Sequence, residues 1–380
     1  MANLNTISLY IHIPFCVHKC RYCDFYSCPG QTSMIDRFIQ ACADELRLCE
    51  AYVQNRHVTS IFFGGGTPSI LQPHQWHALS SALHRMLTID DAVEWTIECN
   101  PDSYSRDKAQ AWLSSGVNRL SLGVQSLDRR LLSTLGRPHT PAQALAVLQS
   151  PEARRFASCS VDVMYGLPGQ TIRQLEHTLC SLLSYDHVKH LSAYELTIAK
   201  NTVFGRHRNL LPFPDDDCVG EMAELIQEQT DRAEFRQYEI SNYAPCGYES
   251  IHNKAYWEYR AYIGLGPGAH SFVNGRRWAN ISDLQQYCAM IKAGARPMVF
   301  TEELTVEDKI HELLFLGLRT RRGIDETRFE DITGELFYSG ERAEKIETLV
   351  REGMLAHEGT FWRLTDQAFL KADGVAGMLG

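Results

Sequence analysis

Short apolar segments alternate with longer amphipathic ones over the first 240 residues, and this alternation restricts the fold more than any other feature of the chain. Strand character falls at residues 8–13, 58–63, 93–98, 118–124, 158–164 and 190–197, with a weaker run at 235–240. Helical patterns lie between them. At residues 34–52, Phe38, Ile39, Cys42, Leu46 and Cys49 share one stripe, and residues 218–232 follow the capping acids Asp215, Asp216 and Asp217. Strand and helix in succession, about six times over, predict an α/β protein with a mostly parallel sheet. Most strands run into a polar or glycine-rich cluster, at residues 15–23, 64–69, 98–102, 123–126 and 165–169. Parallel α/β folds build their sites at the C-terminal ends of strands. Five such clusters predict one shared pocket and favour a full or partial barrel over a flat doubly wound sheet.

After residue 240 the pattern changes. Residues 250–272 are crowded with aromatics and glycines, and from about residue 300 helical patterns dominate, at 306–318, 341–352 and 366–374. Short strands at 355–357 and 362–364 flank Glu358 and Gly359, and helix, hairpin and helix predict a winged-helix-like unit. Winged helices often bind DNA, which demands a basic face. Residues 301–380 carry 10 basic against 17 acidic side chains, a net −7 within a chain of net −9. That balance argues against nucleic acid as a partner and for a lid or docking role. The expected division is a core at 1–240, a connecting region at 241–300 and a smaller C-terminal domain at 301–380.

No run of 18 apolar residues is present, and residues 1–6 lack the basic and apolar regions of a secretion signal, so the expected location is cytoplasmic. Twelve cysteines are many for such a chain, and Cys16, Cys20, Cys23 and Cys28 fall within thirteen residues. Disulfide frameworks belong to small secreted chains. A thiolate metal site in a reducing compartment fits better.

The sharpest local feature is Cys16-Val-His-Lys-Cys20-Arg-Tyr-Cys23, directly after the first strand. Three thiolates on one short loop can hold a single metal centre. A structural zinc needs a fourth ligand, from Cys28, His18 or elsewhere, and that reading stays open. The alternative is a 4Fe–4S cluster held at three irons, with the fourth free for an outside ligand.

This spacing is the signature of the radical S-adenosylmethionine superfamily, which the chain resembles well beyond the three cysteines. Tyr22 matches the aromatic position beside the adenine. Gly64-Gly65-Gly66-Thr67-Pro68 is similar to the family's GGE-type motif, whose glycines let the methionine end of the cosubstrate approach the backbone. The resemblance implies a partial (β/α)6 barrel and a cluster on Cys16, Cys20 and Cys23. It also implies S-adenosylmethionine contacts from Tyr10, Tyr22, Gly65, Gly66, Thr67, Glu98, Gln125, Arg137 and Asp162. Taken singly, Glu98 and Asp162 also read as helix caps and Arg137 as a solvated charge.

Within the superfamily the chain resembles the coproporphyrinogen III dehydrogenase-like branch, with three departures from the dehydrogenase. Phe25 stands where dehydrogenases carry a further cysteine, the first strand begins near Ser8 without their N-terminal extension, and His252-Asn253-Lys254-Ala255-Tyr256-Trp257 resembles the HNxxYW motif of the branch's haem chaperones. This implies a protein that binds haem, with His252 as ligand and His270 as a further candidate. It would pass haem to respiratory haem proteins, some of them at the membrane, and act as a homodimer. The other reading is a radical enzyme that decarboxylates a tetrapyrrole oxidatively. A plainer reading of residues 252–257 also stands, in which His252 and Asn253 cap the barrel while Tyr256 and Trp257 fill its floor.

Overall fold

The computed structural model describes residues 5–89 and 92–380; residues 1–4, part of the stretch read above as no secretion signal, lie outside the described residues. Six strands follow one another as expected: β1 (Thr6–Ile13), β2 (His57–Gly65), β3 (Glu94–Cys99), β4 (Arg119–Gln125), β5 (Ser158–Tyr165) and β6 (Val188–Glu195). Each pairs in parallel with the next. The pleat sorts their side chains with a period of two. Ile7, Leu9, Ile11 and Ile13 of β1 join a buried core with Phe38, Cys42 and Leu46 of the helix Ile35–Leu48. Ser8, Tyr10 and His12 face inward, as do Ser60, Phe62, Ser121, Asp162 and Ser192 of the other strands. The barrel therefore has an apolar outer wall under helices and a polar lumen, unlike an ordinary parallel sheet buried on both faces.

The segment expected as a connection, 241–300, is instead part of the sheet. After β7 (Arg236–Glu239) come β8 (Asn242–Ala244), β9 (Tyr262–Leu265), β10 (His270–Val273), β11 (Arg276–Asn280) and β12 (Met298–Glu303). Among the described residues, twelve strands form one open sheet in the order β12-β11-β10-β9-β1-β2-β3-β4-β5-β6-β8-β7. β9 lies parallel to β1 on its otherwise free edge, with Leu9 opposite Ile263 and Ile11 opposite Leu265. An unpaired edge beside the Cys loop would leave a row of backbone donors and acceptors unmet. Tyr262–Leu265 is four residues long and interrupted by Gly264, too short to show a strand period.

The C-terminal region runs helix Val306–Gly317, strand Ile324–Asp325, helices Glu326–Thr333 and Gly340–Arg351, then a hairpin of Leu355–Glu358 and Phe361–Leu364. This is the succession of a winged helix. The three strands pair antiparallel, and Leu314, Leu318, Phe329, Phe337 and Leu349 form its core. It is tied to the barrel edge through backbone bonds from Ile240 to Arg319 (3.0 Å) and from Arg321 to Tyr238 (3.0 Å). Among the described residues, no helix is long and apolar enough to cross a membrane.

Candidate functional site

The Cys loop leaves β1 through a short parallel pairing of Phe15–Cys16 with Cys28–Pro29, which closes the loop at its base. Backbone bonds from Arg21 to Leu135 (3.0 Å) and from Phe204 to Arg21 (3.0 Å) fix its crown against the helix Arg129–Leu135 and the chain beyond β6. Cys16, Cys20 and Cys23 all line one cavity of about 350 Å³ at the C-terminal ends of the strands. Cys28 does not. It is buried in the core with its sulfur 3.1 Å from the Tyr26 hydroxyl, and Phe25 is 66% exposed at the mouth. Among the described residues, no three His, Cys, Asp or Glu side chains converge at single-ion distance.

Eleven of the expected residues meet on this one cavity: the three cysteines with Tyr22, Gly65, Gly66, Thr67, Glu98, Gln125, Arg137 and Asp162. Tyr22 rests on a small apolar cluster of Leu131, Leu135, Leu167, Leu196 and Phe204, which makes a flat greasy shelf. Gln125 sits at a register shift between β4 and β5 with φ of 64°, left-handed backbone that a non-glycine residue adopts only where its surroundings hold it.

The glycine run, part of the cavity wall, also has a packing role. Gly65 has φ of 104°, and a Cβ there would lie 2.4 Å from the His12 ring; at Gly66 a Cβ would meet the carbonyl oxygens of Phe15 and Ile13 at 2.7 and 2.8 Å. Their N–H groups are already used, Gly65 donating to Glu98 Oε2 (3.2 Å) and Gly66 to the Ile13 carbonyl (2.8 Å). The glycines let β2 press against the base of the Cys loop.

A polar chain runs from the cysteines across the cavity floor. Thr67 donates to the Cys16 sulfur (3.4 Å), Asn100 Nδ2 to Thr67 Oγ1 (3.2 Å), and Arg137 Nη2 to Asn100 Oδ1 (2.8 Å) and the Gly123 carbonyl (2.7 Å). Arg137 Nη1 lies 3.7 Å from the Cys20 sulfur, and its Nε is buried with no partner among the described residues. Burial pushes the Cys23 thiol up to about 11, against the backbone N–H of Phe25, which lowers it. The Glu98 carboxylate opens onto the cavity yet is enclosed by protein. Burial, and then the charge of Asp162, raise it to about 8. Burial also raises Asp162, to about 6, against hydrogen bonds from Ser192 and Ser121. Burial and mutual repulsion thus favour the protonated form of both, and of Glu98 more than of Asp162.

Tyr10 and His252 lie elsewhere. They line a second chamber of about 210 Å³ deeper in the barrel, which shares Glu98, Ser121, Asp162 and Tyr194 with the upper cavity. His12 takes the Tyr10 hydroxyl on Nδ1 (3.1 Å) and gives Nε2–H to the Tyr26 carbonyl (3.0 Å). His252 stands on the helix Ile251–Trp257, whose N-terminus is fastened to the Glu94 carboxylate by the backbone N–H groups of Ile251 (3.0 Å) and His252 (2.9 Å). Its ring stacks on Phe62 at 4.9 Å, and both nitrogens are engaged, Nδ1 with Ser60 Oγ (2.9 Å) and Nε2 with the Tyr256 hydroxyl (3.0 Å). Ser60 spends its proton on Ser8 (2.8 Å), so His252 Nδ1 donates and Nε2 accepts. Burial depresses its pKa to about 3. Both ring nitrogens of His252 are thus hydrogen-bonded within the barrel; of the residues in the plainer reading, His252, Asn253 and Tyr256 line the lumen chamber and Trp257 does not. His270 is an exposed residue at the start of β10.

Sequence reasoning missed Asn100, which joins Arg137 to Thr67, and Tyr194 and Ser192, which close the wall beside Asp162. Asn100 lay two residues past Glu98 within a flagged cluster. Tyr194 and Ser192 carried no comparable signal.

Residues 10–180 match the radical SAM superfamily and residues 304–370 the HemN C-terminal domain. A protein of Bacillus subtilis named "Heme chaperone HemW" is 35% identical over 97% of this chain and 98% of its own length. The Escherichia coli protein of that name is 32% identical over 97% of both. The chain belongs to the HemW family. Another relative is the mouse "Radical S-adenosyl methionine domain-containing protein 1, mitochondrial", 34% identical over 92% of this chain and 81% of that protein. The fold matches the solved structure of E. coli coproporphyrinogen III oxidase (HemN) with a TM-score of 0.85, across 99% of this chain and 90% of that one, at 20% identity. Membership of HemW, inside the radical SAM superfamily, implies a 4Fe–4S cluster and S-adenosylmethionine as the class of cofactors. The residues present fit them: three thiols on one open cavity, and a buried guanidinium with an unpartnered Nε beside them.

Proposed function

We propose that this chain is a haem chaperone that carries a 4Fe–4S cluster on Cys16, Cys20 and Cys23 with S-adenosylmethionine alongside, and that hands haem to respiratory haem proteins. The observation that carries the haem reading is the full-length similarity to relatives named as haem chaperones. The cofactor reading is carried by the convergence on one cavity of eleven residues that the family resemblance implies, from segments far apart in the sequence. When bound, the pair supplies one-electron chemistry. The chain's own groups bind and orient. The Tyr22 shelf takes the flat adenine, Arg137 offsets thiolate and carboxylate charge, and the carboxyls of Glu98 and Asp162, Glu98 the more readily protonated, face the ribose hydroxyls.

The likeness to HemN, at 20% identity, speaks for the fold alone and does not favour tetrapyrrole decarboxylation. The test is transfer. Cluster-reconstituted protein loaded with one haem is mixed with an apo-haemoprotein, and the acceptor spectrum is followed. Transfer faster than from free haem supports the chaperone reading, and haem retained indefinitely or never bound contradicts it.

A further inference from the structure

The HNxxYW helix has two faces, and only one belongs to the barrel. His252, Asn253 and Tyr256 line the lumen chamber, whereas Lys254 and Trp257 line a groove of about 620 Å³ between the barrel floor and the C-terminal domain; Asn253, Tyr256 and Trp257 also border a further pocket beside Glu239 and Arg319. This groove is larger than the cysteine cavity and touches none of the cysteines of the Cys loop. Its walls are aromatic and aliphatic where Trp257, Phe361, Leu313 and Ile324 contribute, and strongly cationic elsewhere.

Six basic side chains line it (Arg236, Lys254, Arg260, Arg321, Arg322 and Arg328) against four acidic ones, Glu249, Glu258, Asp325 and Asp331, in a chain that is net −9. The acids do not cancel the bases. Arg260 and Arg322 share Glu258, Arg322 at the long distance of 4.0 Å. Asp325 caps the next helix through the Thr327 N–H (3.2 Å) and, with Glu258, is one of two acids set against the guanidiniums of Arg260, Arg322 and Arg328. Arg321 pairs outside the groove with Asp366 at 2.9 Å. Arg328 makes no ion pair among the described residues. Its Nη2 reaches the Tyr259 carbonyl at 3.3 Å, and its Nε is buried without a partner there. The Arg322 guanidinium carbon lies over the Phe361 ring, 4.4 Å from its centroid, so an aromatic ring and a guanidinium stand together at the groove wall.

A cleft of this size with apolar walls and surplus guanidinium groups is complementary to a flat, apolar ring system that carries carboxylates at its edge. We propose that the groove between the HNxxYW helix and the C-terminal domain is the haem site, with the ring against Trp257 and Phe361 and the propionates on Arg322 and Arg328. The proposal rests on the chaperone reading and gives that reading its location. It also accounts for the half of the motif that the barrel floor does not use, since Lys254 and Trp257 belong to the groove.

The test uses the full-length, cluster-reconstituted protein and ferric haem, titrated by absorbance. Arg322→Glu, at an exposed position, should weaken haem binding about tenfold or more through charge reversal. Thr327→Trp, also exposed and on the groove wall, should abolish stoichiometric binding by filling the cleft. Both variants should keep wild-type iron and sulfide content and thermal stability. Haem dimethyl ester, which lacks the propionate charges, should bind the wild type weakly and be indifferent to Arg322→Glu. One haem bound with unchanged affinity by both variants overturns the groove while leaving the chaperone reading intact. A wild-type protein that binds no haem overturns both.

Discussion

The Arg137 guanidinium stands 3.7 Å from the Cys20 sulfur while Nη2 of the same group holds Asn100 and the Gly123 carbonyl. One side chain thus ties the loop that carries the cysteines to the strand ends that wall the cavity. A buried cation so placed offsets charge on the thiolates and offers its remaining Nε to an anionic ligand. Arg137→Ala should lower S-adenosylmethionine affinity about thirtyfold, the cost of removing a buried charged partner. Arg137→Lys should recover only part, because an ammonium cannot span both acceptors. Calorimetry on cluster-loaded protein decides it, and unchanged affinity in Arg137→Ala contradicts the assignment.

Cys20→Ala should abolish bound iron and sulfide yet leave the fold in place. Cys20 is half-buried at the cavity wall, outside the apolar core, and the loop is held by backbone bonds that the substitution does not touch. Thermal stability of the metal-free forms should agree within about 0.5 kcal/mol. Loss of folded protein together with the metal would mark a structural zinc instead.

The acidic pair in the lumen predicts a pH dependence of the metal-free protein. Glu98 is raised to about 8 and Asp162 to about 6, so the folded state holds protons that the unfolded chain releases near pH 4. The stability these carboxyls contribute is full in acid and is lost as pH rises from about 4 through the folded values, while the depressed His139 and His252 act the other way below about pH 6.5. Glu45, buried and raised to about 7, adds to the same slope. Glu98→Gln should remove the part of the fall between about pH 7 and 8, which neither Glu45 nor Asp162 supplies. Melting curves across that range, wild type against variant, test it; parallel curves would place an ionised carboxylate at Glu98.

His252→Ala should cost about 2–4 kcal/mol in urea unfolding, from a buried cavity and two broken hydrogen bonds, without changing haem affinity. Loss of haem with unchanged stability would restore His252 as the iron ligand and break its bond to Tyr256.

The parallel barrel was legible because each βα unit repeats its own signal. β1 alternates Ile7, Leu9 and Ile11 against Ser8 and Tyr10, and the Cys loop and glycine run sit one unit apart at consecutive strand ends. Tyr262–Leu265 was not legible, since a four-residue strand containing Gly264 has no period and is held only by the free edge of β1. The state of His252 was hidden for another reason. Its partner Ser60 is 192 residues away, and whether an imidazole faces a ligand or a hydroxyl is decided by that distant packing. The short first strand of the winged helix, Ile324–Asp325, exists through its pairing with the hairpin strand Phe361–Leu364 and leaves no mark of its own in the sequence.

The most direct test of the account uses one sample of anaerobically purified, cluster-reconstituted protein. Haem is titrated by absorbance, and the same protein is then given coproporphyrinogen III, S-adenosylmethionine and a reductant. The account predicts one haem bound per chain and no protoporphyrinogen. Turnover to protoporphyrinogen would contradict it and make this chain an enzyme of haem synthesis.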